Sequence, residues 1–576
     1  MTLKELRISK GLSQKECAKF LDMSIRNYQN YENDIKMEKT AKYQKIYHKL
    51  DSYTLSFTNI VNAINAYSSF NTNVITGSTL NNFYNQVKNY QKRDCYQTLK
   101  KFICENYVGK ICILYGLRRT GKTTMLFQLL NELNLEKTAY IKIRVSDNMS
   151  SLTKDLKTLF DMGIRYILID EITLMEDFIN TAAILSDIYS MMGMKIILSG
   201  TDSLGFMMAS RDELYDRSIM IHTSFIPFKE YVRLLNISSV DSYIEYGGTL
   251  KMENMSFDDK DSKRDDVSFY DDESTRKYID TSISRNIQHT LKNDKYGNYF
   301  NQLKQLYDQN ELTNAINRII EDMNHNFLVK VIEDKFKSHD FGSAKDLLLH
   351  DAPSNIAYVL SSVDSETILK RLKDILDIKE KDETQISITQ DCVNRIKKYL
   401  IMLDLIVNIP DQIEDSKEID YYIFTQPGMR YSITKALVYS LIQDEYFKTK
   451  SIEDKKYITD KILNDVKGRM LEDIVLLEAS KAISENSKVF KYKFATGGEF
   501  DMVIFNKQTL TCELYEIKHS DKIVKKQARY LLDEEKCKSI EFKFGKIMKK
   551  TILYRGVTTK VNDIEYKNVE EFLIEL

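Results

Sequence analysis

Residues 116–124 read GLRRTGKTT, and the reading of this stretch decides what the chain around it must look like. Gly116, Gly121, Lys122 and Thr123 stand in the register of the phosphate-loop pattern G-x-x-x-x-G-K-[ST]. The spacing has a chemical reason: glycines let backbone N–H groups close around phosphates, the lysine reaches the outer phosphates, and the threonine hydroxyl ligates Mg²⁺. The flanks agree. KICILYG before the loop is an apolar run suited to a buried parallel strand, and MLFQLLNEL after it has helical periodicity. Strand, loop and helix in that order predict a nucleoside-triphosphate site, with Gly116, Arg119, Thr120, Gly121, Lys122, Thr123 and Thr124 around the phosphates.

The second half of such a site is an apolar strand ending in acids, and RYILIDE, residues 165–171, supplies one. Asp170 would hold Mg²⁺ through water, and Glu171 would polarise the water that attacks the phosphate. A third apolar strand, KIILSGTDS at 195–203, ends in polar side chains where a γ-phosphate sensor would sit, with Thr201 or Ser203 as candidates. Arg217 in ELYDRS is a candidate source of positive charge for the transition state. It would act within the chain or across the interface of a homo-oligomer, and a plain surface ion pair is the competing reading.

Together, GLRRTGKTT, YILIDE, LSGTDS, LYDR and FIPFKEY (225–231) resemble a group of prokaryotic AAA-type ATPases related to signal-transducing NTPases, which carry a C-terminal nuclease-like domain. The resemblance runs from residue 95 or so to the C-terminus and is most specific between 110 and 235. It implies ATP and Mg²⁺ as cofactors. It also implies a nucleotide domain closed by a Pro-Phe-x-Glu-Tyr element, here Pro227, Phe228, Glu230 and Tyr231, after which this chain is enlarged.

The 576 residues predict three or four domains and a multidomain α/β fold class. A formal net charge of −1 gives no global sign of a nucleic-acid partner, so any basic surface must be local. Seven cysteines without C-x-x-C pairing or neighbouring histidines argue for a reducing, cytoplasmic setting and against structural zinc. With no signal-like N-terminus and no apolar run of about 18 residues, secretion or membrane insertion is not expected.

The N-terminal segment LKELRISKGLSQKECAKFLDMSIRNYQNYEND, residues 3–34, reads as an all-α helix-turn-helix domain over 1–52. Ser13 is placed to cap the helix QKECAKFL, Asp22-Met23-Ser24 makes a tight turn, and IRNYQNYE opens the next helix. The segment resembles the Cro/phage-repressor-like family. By that resemblance Arg26, Asn27 and Asn30 face base edges of double-stranded DNA, while Gln14 and Ser24 touch phosphates. Arginine and asparagine are the side chains that pair bidentately with guanine and adenine. Residues 1–52 hold eleven Lys/Arg against seven Asp/Glu, a local positive excess. A protein-binding adaptor of the same fold is the alternative.

Residues 53–94 are polar and weakly periodic and read as a linker between the helix-turn-helix and a P-loop ATPase domain at 95–235. Residues 236–460 read as a helical and winged-helix-like region, with an Asp-rich solvated loop at 257–274 and a helix–strand–helix set built from IKKYLIMLDLIVNIP, DYYIFTQP and YSITKALVYSLI. The last segment, 461–576, carries Glu472 on an amphipathic helix, then Asp501 and the triplet Glu516-Ile517-Lys518 on successive strands. Glu516 and Lys518, two apart, face one side of a strand, and a hairpin about 506–509 would set Asp501 diagonal to Glu516. Two carboxylates and a lysine suit metal-dependent phosphodiester hydrolysis. The order resembles the PD-(D/E)XK nuclease superfamily, which implies metal at Asp501 and Glu516 and catalysis by Glu472, Asp501, Glu516 and Lys518; a silent nuclease-like fold stays open. A following helix with Lys522, Lys525, Lys526 and Arg529 would track a phosphate backbone.

The modules together predict an ATP-dependent DNA-binding protein whose hydrolysis is coupled to DNA recognition and metal-dependent cleavage, a combination suited to genome defence or mobile elements. The alternative is a transcriptional regulator with an ATP-sensing domain and a silent nuclease-like domain.

Overall fold

The computed structural model describes residues 2–9, 14–21, 23–33, 40–51, 70–237, 239–250, 269, 271–284, 301–337, 370, 389–416 and 418–576. At the N-terminus, helices α1 (Leu3–Ser9), α2 (Gln14–Phe20), α3 (Ile25–Asn33) and α4 (Ala41–Asp51) close around Leu6, Cys17, Tyr28, Tyr43 and Ile46. Ser13 and Asp22, the expected cap and turn residues, lie outside the described residues.

The first sheet has strand order β1-β3-β4-β5-β2-β6. β1 (Asn73–Thr76) lies antiparallel at one edge, and β2 (Ile111–Tyr115), β3 (Thr138–Lys142), β4 (Tyr166–Asp170), β5 (Lys195–Gly200) and β6 (Ser218–His222) are parallel. Ile111, Cys112, Ile113 and Leu114 are all fully buried, as a strand covered on both faces requires. The chain leaves β2 through the Gly116–Gly121 loop and enters helix α5 (Lys122–Leu129). Within the stretch read from sequence as linker, residues 73–76 form a strand of this sheet. A four-residue edge strand flanked by Asn and Thr gives almost no hydrophobic signal, and it is held instead by Asp155, which accepts from Asn71 and Thr72 at 2.7–2.9 Å.

Beyond β6 come α6 (Phe228–Leu235), α7 (Val240–Tyr246), α8 (Asp272–Tyr278), a 26-residue helix Leu312–Lys337, then α9 (Pro427–Gln443) and α10 (Ile452–Ala482). Most of the Asp-rich run 257–274 falls outside the described residues.

The second sheet has order β13-β14-β12-β11-β10-β9-β7-β8. Its strands are β7 (Ile406–Ile413), β8 (Ile419–Phe424), β9 (Ser487–Lys493), β10 (Glu499–Asn506), β11 (Thr511–Ile517), β12 (Lys546–Tyr554), β13 (Thr559–Val561) and β14 (Ile564–Asn568). Two expectations change here. IVNIP is a strand rather than the end of a helix, because Asp404 takes φ 55° and stops the helix Gln390–Met402. The β7–β8 hairpin then joins β9 through Asp411 opposite Lys491, so it extends the C-terminal sheet instead of forming a separate winged helix.

One apolar core runs through both sheets, including Ile113 and Leu198 of the first, Leu437 of α9, Val475 of α10, and Met502 and Ile517 of the second. Among the described residues no helix is long and apolar enough to cross a membrane.

Where α10 meets α6, Glu478 is buried and accepts from the Phe228 N–H at 2.6 Å. Burial pushes its carboxyl up to about 8, against the opposing pull of that hydrogen bond. A folded-state value above the unfolded 4.5 means a stabilisation complete below pH 4.5 and lost as pH rises to about 8. Urea denaturation followed across that window should show stability falling with pH in the wild type and a flatter profile in Glu478→Gln; identical slopes would show that Glu478 is ionised in the native protein.

Candidate functional site

The loop that follows β2 is bent by positive φ at Gly116 (144°), Arg119 (62°) and Gly121 (87°). At Gly116 a side chain is excluded outright, since a Cβ would lie 2.5 Å from Thr223 Oγ1. Lys122, the first residue of α5, turns back so that Nζ donates to the carbonyls of Gly116 (2.8 Å) and Leu117 (2.7 Å). Burial lowers its pKa to about 8, while Glu171 and Asp170 hold it up. Thr120 is spent inside the protein, its hydroxyl shared between the Leu117 carbonyl (2.9 Å) and Thr223 Oγ1 (2.8 Å). Thr124 follows on α5, and Arg119 is exposed on the loop.

Asp170, at the carboxyl end of β4, is buried and fully engaged. Oδ2 accepts from Thr123 Oγ1 (3.1 Å), Tyr140 OH (2.9 Å) and Lys142 Nζ (2.8 Å), and Oδ1 accepts from Ser199 Oγ. Burial alone would raise its pKa; the Lys142 charge and the hydrogen bonds from Lys142, Ser199 and Tyr140 outweigh it and hold the carboxyl below its ordinary value. Tyr140, Lys142 and Ser199 went unnoticed in the sequence, although Lys142 ends β3 in register with Asp170. A lysine closing an apolar strand next to the acid-terminated strand is the one signal that pointed to it. The hard oxygens of Thr123 and Asp170, with an ammonium already drawn to them, are a donor set that fits Mg²⁺.

Glu171 takes φ 61°, and Thr201 Oγ1 stands 3.5 Å from its Oε2. Ser203, the other sensor candidate, is fully buried with its hydroxyl unpartnered. Arg217 lies elsewhere. It precedes β6, its carbonyl accepts from the Ile111 N–H at the start of β2, and its side chain pairs with Asp187 at 3.0 Å. With the length of β2 between it and the loop, roughly 16 Å at ~3.3 Å per residue, Arg217 does not act on the loop of its own chain.

A second cluster forms on β9, β10, β11 and α10. The register Met502 opposite Tyr515 brings Asp501 directly across from Glu516, two residues off the diagonal expected, because the turn spans 507–510 rather than 506–509 and centres on the 508/509 bond. Lys518 Nζ sits 2.8 Å from both Asp501 Oδ2 and Glu516 Oε2, and the Ile517 N–H donates to the same Asp501 oxygen at 2.7 Å. Burial pushes Glu516 up to about 8, and its Oε1 is buried without a partner. Glu472 is claimed by Lys491 (2.9 Å) and Arg469 (2.8 Å), and despite burial Lys491, Arg469 and Lys518 bring it down to about 2. Arg469, Lys491 and Glu499 are additions to the expected set; Glu499 was legible, being two residues before Asp501 on the same strand. Among the described residues no three His, Cys, Asp or Glu side chains are grouped to hold a metal ion. The orphaned Glu516 oxygen beside Asp501 is the feature that fits one. The basic residues after it are not on one helix: Lys525 and Lys526 sit in the short 3₁₀ turn Lys525–Ala528, Lys522 precedes it and Arg529 follows it.

On α3, Arg26, Asn27 and Asn30 are exposed. Ser24 instead caps the helix, its Oγ accepting from the Asn27 N–H (3.2 Å), and the Gln14 amide is bonded to Glu32 and to Gln29 (3.0 Å).

Residues 108–232 match the family model described as an AAA domain. No curated protein matches the chain. Two solved structures of S. cerevisiae Hsp104 are similar. The extended conformation with casein is 15% identical over 28% of this chain and 32% of that one, TM-score 0.23. The ADP complex is 12% identical over 68% of this chain and 50% of that one, TM-score 0.22. The chain thus spans a third to a half of those chains, and at such scores the likeness carries no argument. The family match falls on the strand, loop and acids described above, and this chain carries an AAA-type ATPase domain there.

Proposed function

We propose that this chain is an ATP-dependent DNA-binding protein in which the AAA domain hydrolyses ATP, α3 recognises double-stranded DNA, and the cluster on the second sheet cleaves DNA with a divalent metal. The observation that carries the reading is the meeting of Thr123 and Asp170 beside Lys122, at the carboxyl end of a parallel sheet. Such crevices are where open α/β sheets bind ligands.

In this reading Lys122 leaves the carbonyls of Gly116 and Leu117 for the outer phosphates. Thr123 and Asp170 would hold Mg²⁺, which would supply positive charge against the phosphates. Lys142, bonded to Asp170, keeps that carboxyl ionised for the task. Glu171 orients the attacking water, with Thr201 close by. Arg217 serves only across an interface with another copy, where its exposed position is accessible. Arg26, Asn27 and Asn30 read base edges in the major groove, while Gln14 and Ser24, which also shape the helix pair, touch phosphates.

At the second sheet, Asp501 and Glu516 hold the metal, which supplies an activated water when bound. Lys518 faces the phosphate, and Glu472 orders Lys491 and Arg469 behind it. One observation favours a second reading, a transcriptional regulator with a silent nuclease-like domain: Lys518 already bridges both carboxylates, and Glu472 is paired with Lys491 and Arg469. Incubating the protein with ATP, Mg²⁺ or Mn²⁺ and plasmid, and following phosphate release together with nicking, separates the two. A genome-defence or mobile-element role follows from the first reading by analogy of domain combination.

Lys122→Ala should abolish nucleotide binding, whereas Glu171→Gln should keep binding and lose turnover, because only the lysine contributes charge to the ground-state complex. Equal ATP affinity in wild type and Lys122→Ala, measured by titration calorimetry, would sink the assignment. Arg26→Ala should cost about 1–3 kcal/mol at a specific site and relax sequence preference there; a mobility-shift assay in which removal of 1–52 leaves specific binding unchanged argues against α3 as the reader. At the second sheet, Asp501→Asn and Glu516→Gln should each weaken Mn²⁺ binding while Lys518→Ala does not. Nicking that survives Asp501→Asn excludes this cluster as its source.

A further inference from the structure

Three consecutive carbonyls of the phosphate loop are each held by a donor from outside the matched segment 108–232. The Arg118 carbonyl accepts from Tyr278 OH at 3.2 Å, the Arg119 carbonyl from the Leu250 N–H at 2.7 Å, and the Thr120 carbonyl from Arg93 Nη1 at 3.0 Å. Each peptide unit is planar and trans, so a carbonyl and the N–H of the next residue point in opposite directions. Pinning those three oxygens therefore turns the N–H groups of Arg119, Thr120 and Gly121 the other way. Arg119 and Gly121, alternate residues, both take positive φ. Alternation of that kind gathers successive N–H groups into an anion-binding concavity.

Two of the three donors are themselves braced. Arg93 is buried, with Nε on Glu230 Oε2 (2.7 Å), Nη1 also on the Thr223 carbonyl (2.7 Å) and Nη2 on the Phe225 carbonyl (2.7 Å). Glu230 completes the clamp by accepting from the Asp94 N–H at 2.6 Å. Tyr278, buried on α8, accepts from Gln426 Nε2 at 3.1 Å while it donates to the loop. Gly121 is in contact with two of the bracing residues, since a Cβ there would lie 3.3 Å from Leu250 Cδ1 and 3.6 Å from Arg93 Cδ.

We infer that Arg93 and Tyr278 are positioning residues for phosphate binding: with the Leu250 N–H they hold the loop carbonyls outward, so that its N–H groups are set for the phosphates before any nucleotide arrives. The inference rests on the nucleotide-site reading above. It makes phosphate affinity depend on segments on either side of the AAA domain. Preorganised donors avoid the cost of ordering the loop on binding, so their loss weakens affinity for the phosphates and leaves the chemistry untouched.

Two variants separate positioning from simple support. Tyr278→Phe removes the hydroxyl that reaches the loop; Gln426→Met removes the neighbouring buried hydrogen bond but leaves Tyr278 free to donate to Arg118. Calorimetric titration with ATP and with inorganic pyrophosphate should show affinity falling roughly fivefold in Tyr278→Phe, the equivalent of one hydrogen bond, and unchanged in Gln426→Met. Thermal midpoints should drop by similar amounts in both. Arg93→Lys, which keeps the charge but loses the fork that spans Thr120, Thr223 and Phe225, should lose roughly tenfold or more. In steady-state hydrolysis the loss should appear in KM with kcat retained. Wild-type affinity for pyrophosphate in both Tyr278→Phe and Arg93→Lys, or equal losses in Tyr278→Phe and Gln426→Met, overturns the inference while leaving the nucleotide site standing. A wild-type protein that binds neither ATP nor pyrophosphate removes the reading beneath it.

Discussion

The buried carboxylate of Asp170 is the constraint around which the first sheet is arranged. An ionised carboxylate taken out of water costs several kcal/mol unless its oxygens are paired, and removing one partner of such a group is correspondingly expensive. Here the acid and its partners come from four different elements: Tyr140 and Lys142 from β3, Ser199 from β5, Thr123 from α5, and the acid itself from β4. The strand order β3-β4-β5 and the docking of the loop helix are thus bound to one another by a single side chain. A shift of β3 by one residue would carry Lys142 away from the acid and turn Tyr140 to the other face, which is why the parallel register Lys142 opposite Asp170 is so strongly specified. The arrangement that stabilises the sheet is also the one that leaves a charged oxygen at the rim of the loop.

The second sheet is tied to the first by the same helix that contributes to its own charge cluster. α10 presents Glu472 to Lys491 and Arg469, and one residue on, Asp473 is bonded to Arg430 of α9 (2.7 Å) and Tyr421 of β8 (2.6 Å). Two turns farther along, Glu478 reaches Phe228, at the start of α6. On the other side, α7 is gripped by Asp241 bonded to His519 (2.7 Å) and Arg555 (3.0 Å), and by Glu245 bonded to Lys467 (2.6 Å). His519 is the residue after Lys518. The helix that leaves the AAA domain is therefore anchored next to the lysine that bridges Asp501 and Glu516, and the shared apolar core leaves little freedom for the two sheets to move without disturbing these pairs.

Legibility in the sequence followed the strength of the local pattern. The loop, β2, β4 and β5 were readable because a buried parallel strand is a run of branched apolar residues and the phosphate loop has a fixed spacing. β1 was not, since its four residues sit among Asn and Thr whose partner, Asp155, is distant in sequence. β7 reads as helix because KKYLIMLDLIVNIP is apolar at both periods, and only the backbone reversal at Asp404 separates helix from strand. In the second cluster the order of Glu472, Asp501, Glu516 and Lys518 was visible, but the hairpin register was off by two residues on one strand, and the two cations that neutralise Glu472 were not foreseen. Charge pairing across a sheet depends on which strands become neighbours, and no local pattern carries that. Arg93 is the sharpest case: a lone arginine in a polar stretch, whose importance comes from acceptors distant in sequence, at Thr120 and, more than a hundred residues away, at Thr223, Phe225 and Glu230.

The two charge clusters are built on opposite principles. At Asp170 the acid is surrounded by donors and kept ionised, with one lysine that stands where a cation is wanted. At Glu516 the acid is buried beside a second acid, its carboxyl raised, and one oxygen is left without a donor. A raised carboxyl with an orphaned oxygen is a costly arrangement in a folded protein, and it persists only where packing on both sides enforces it. Ile517 and Tyr515, buried on the opposite face of the strand, fix the strand itself, Leu514 is buried on the same face as Glu516, and Lys518 offsets part of the charge. A cation at the orphaned oxygen would relieve the strain that the lysine alone does not, and this asymmetry between the two acids of the pair separates the cluster from an ordinary buried ion pair, in which each charge is met and no oxygen is spare.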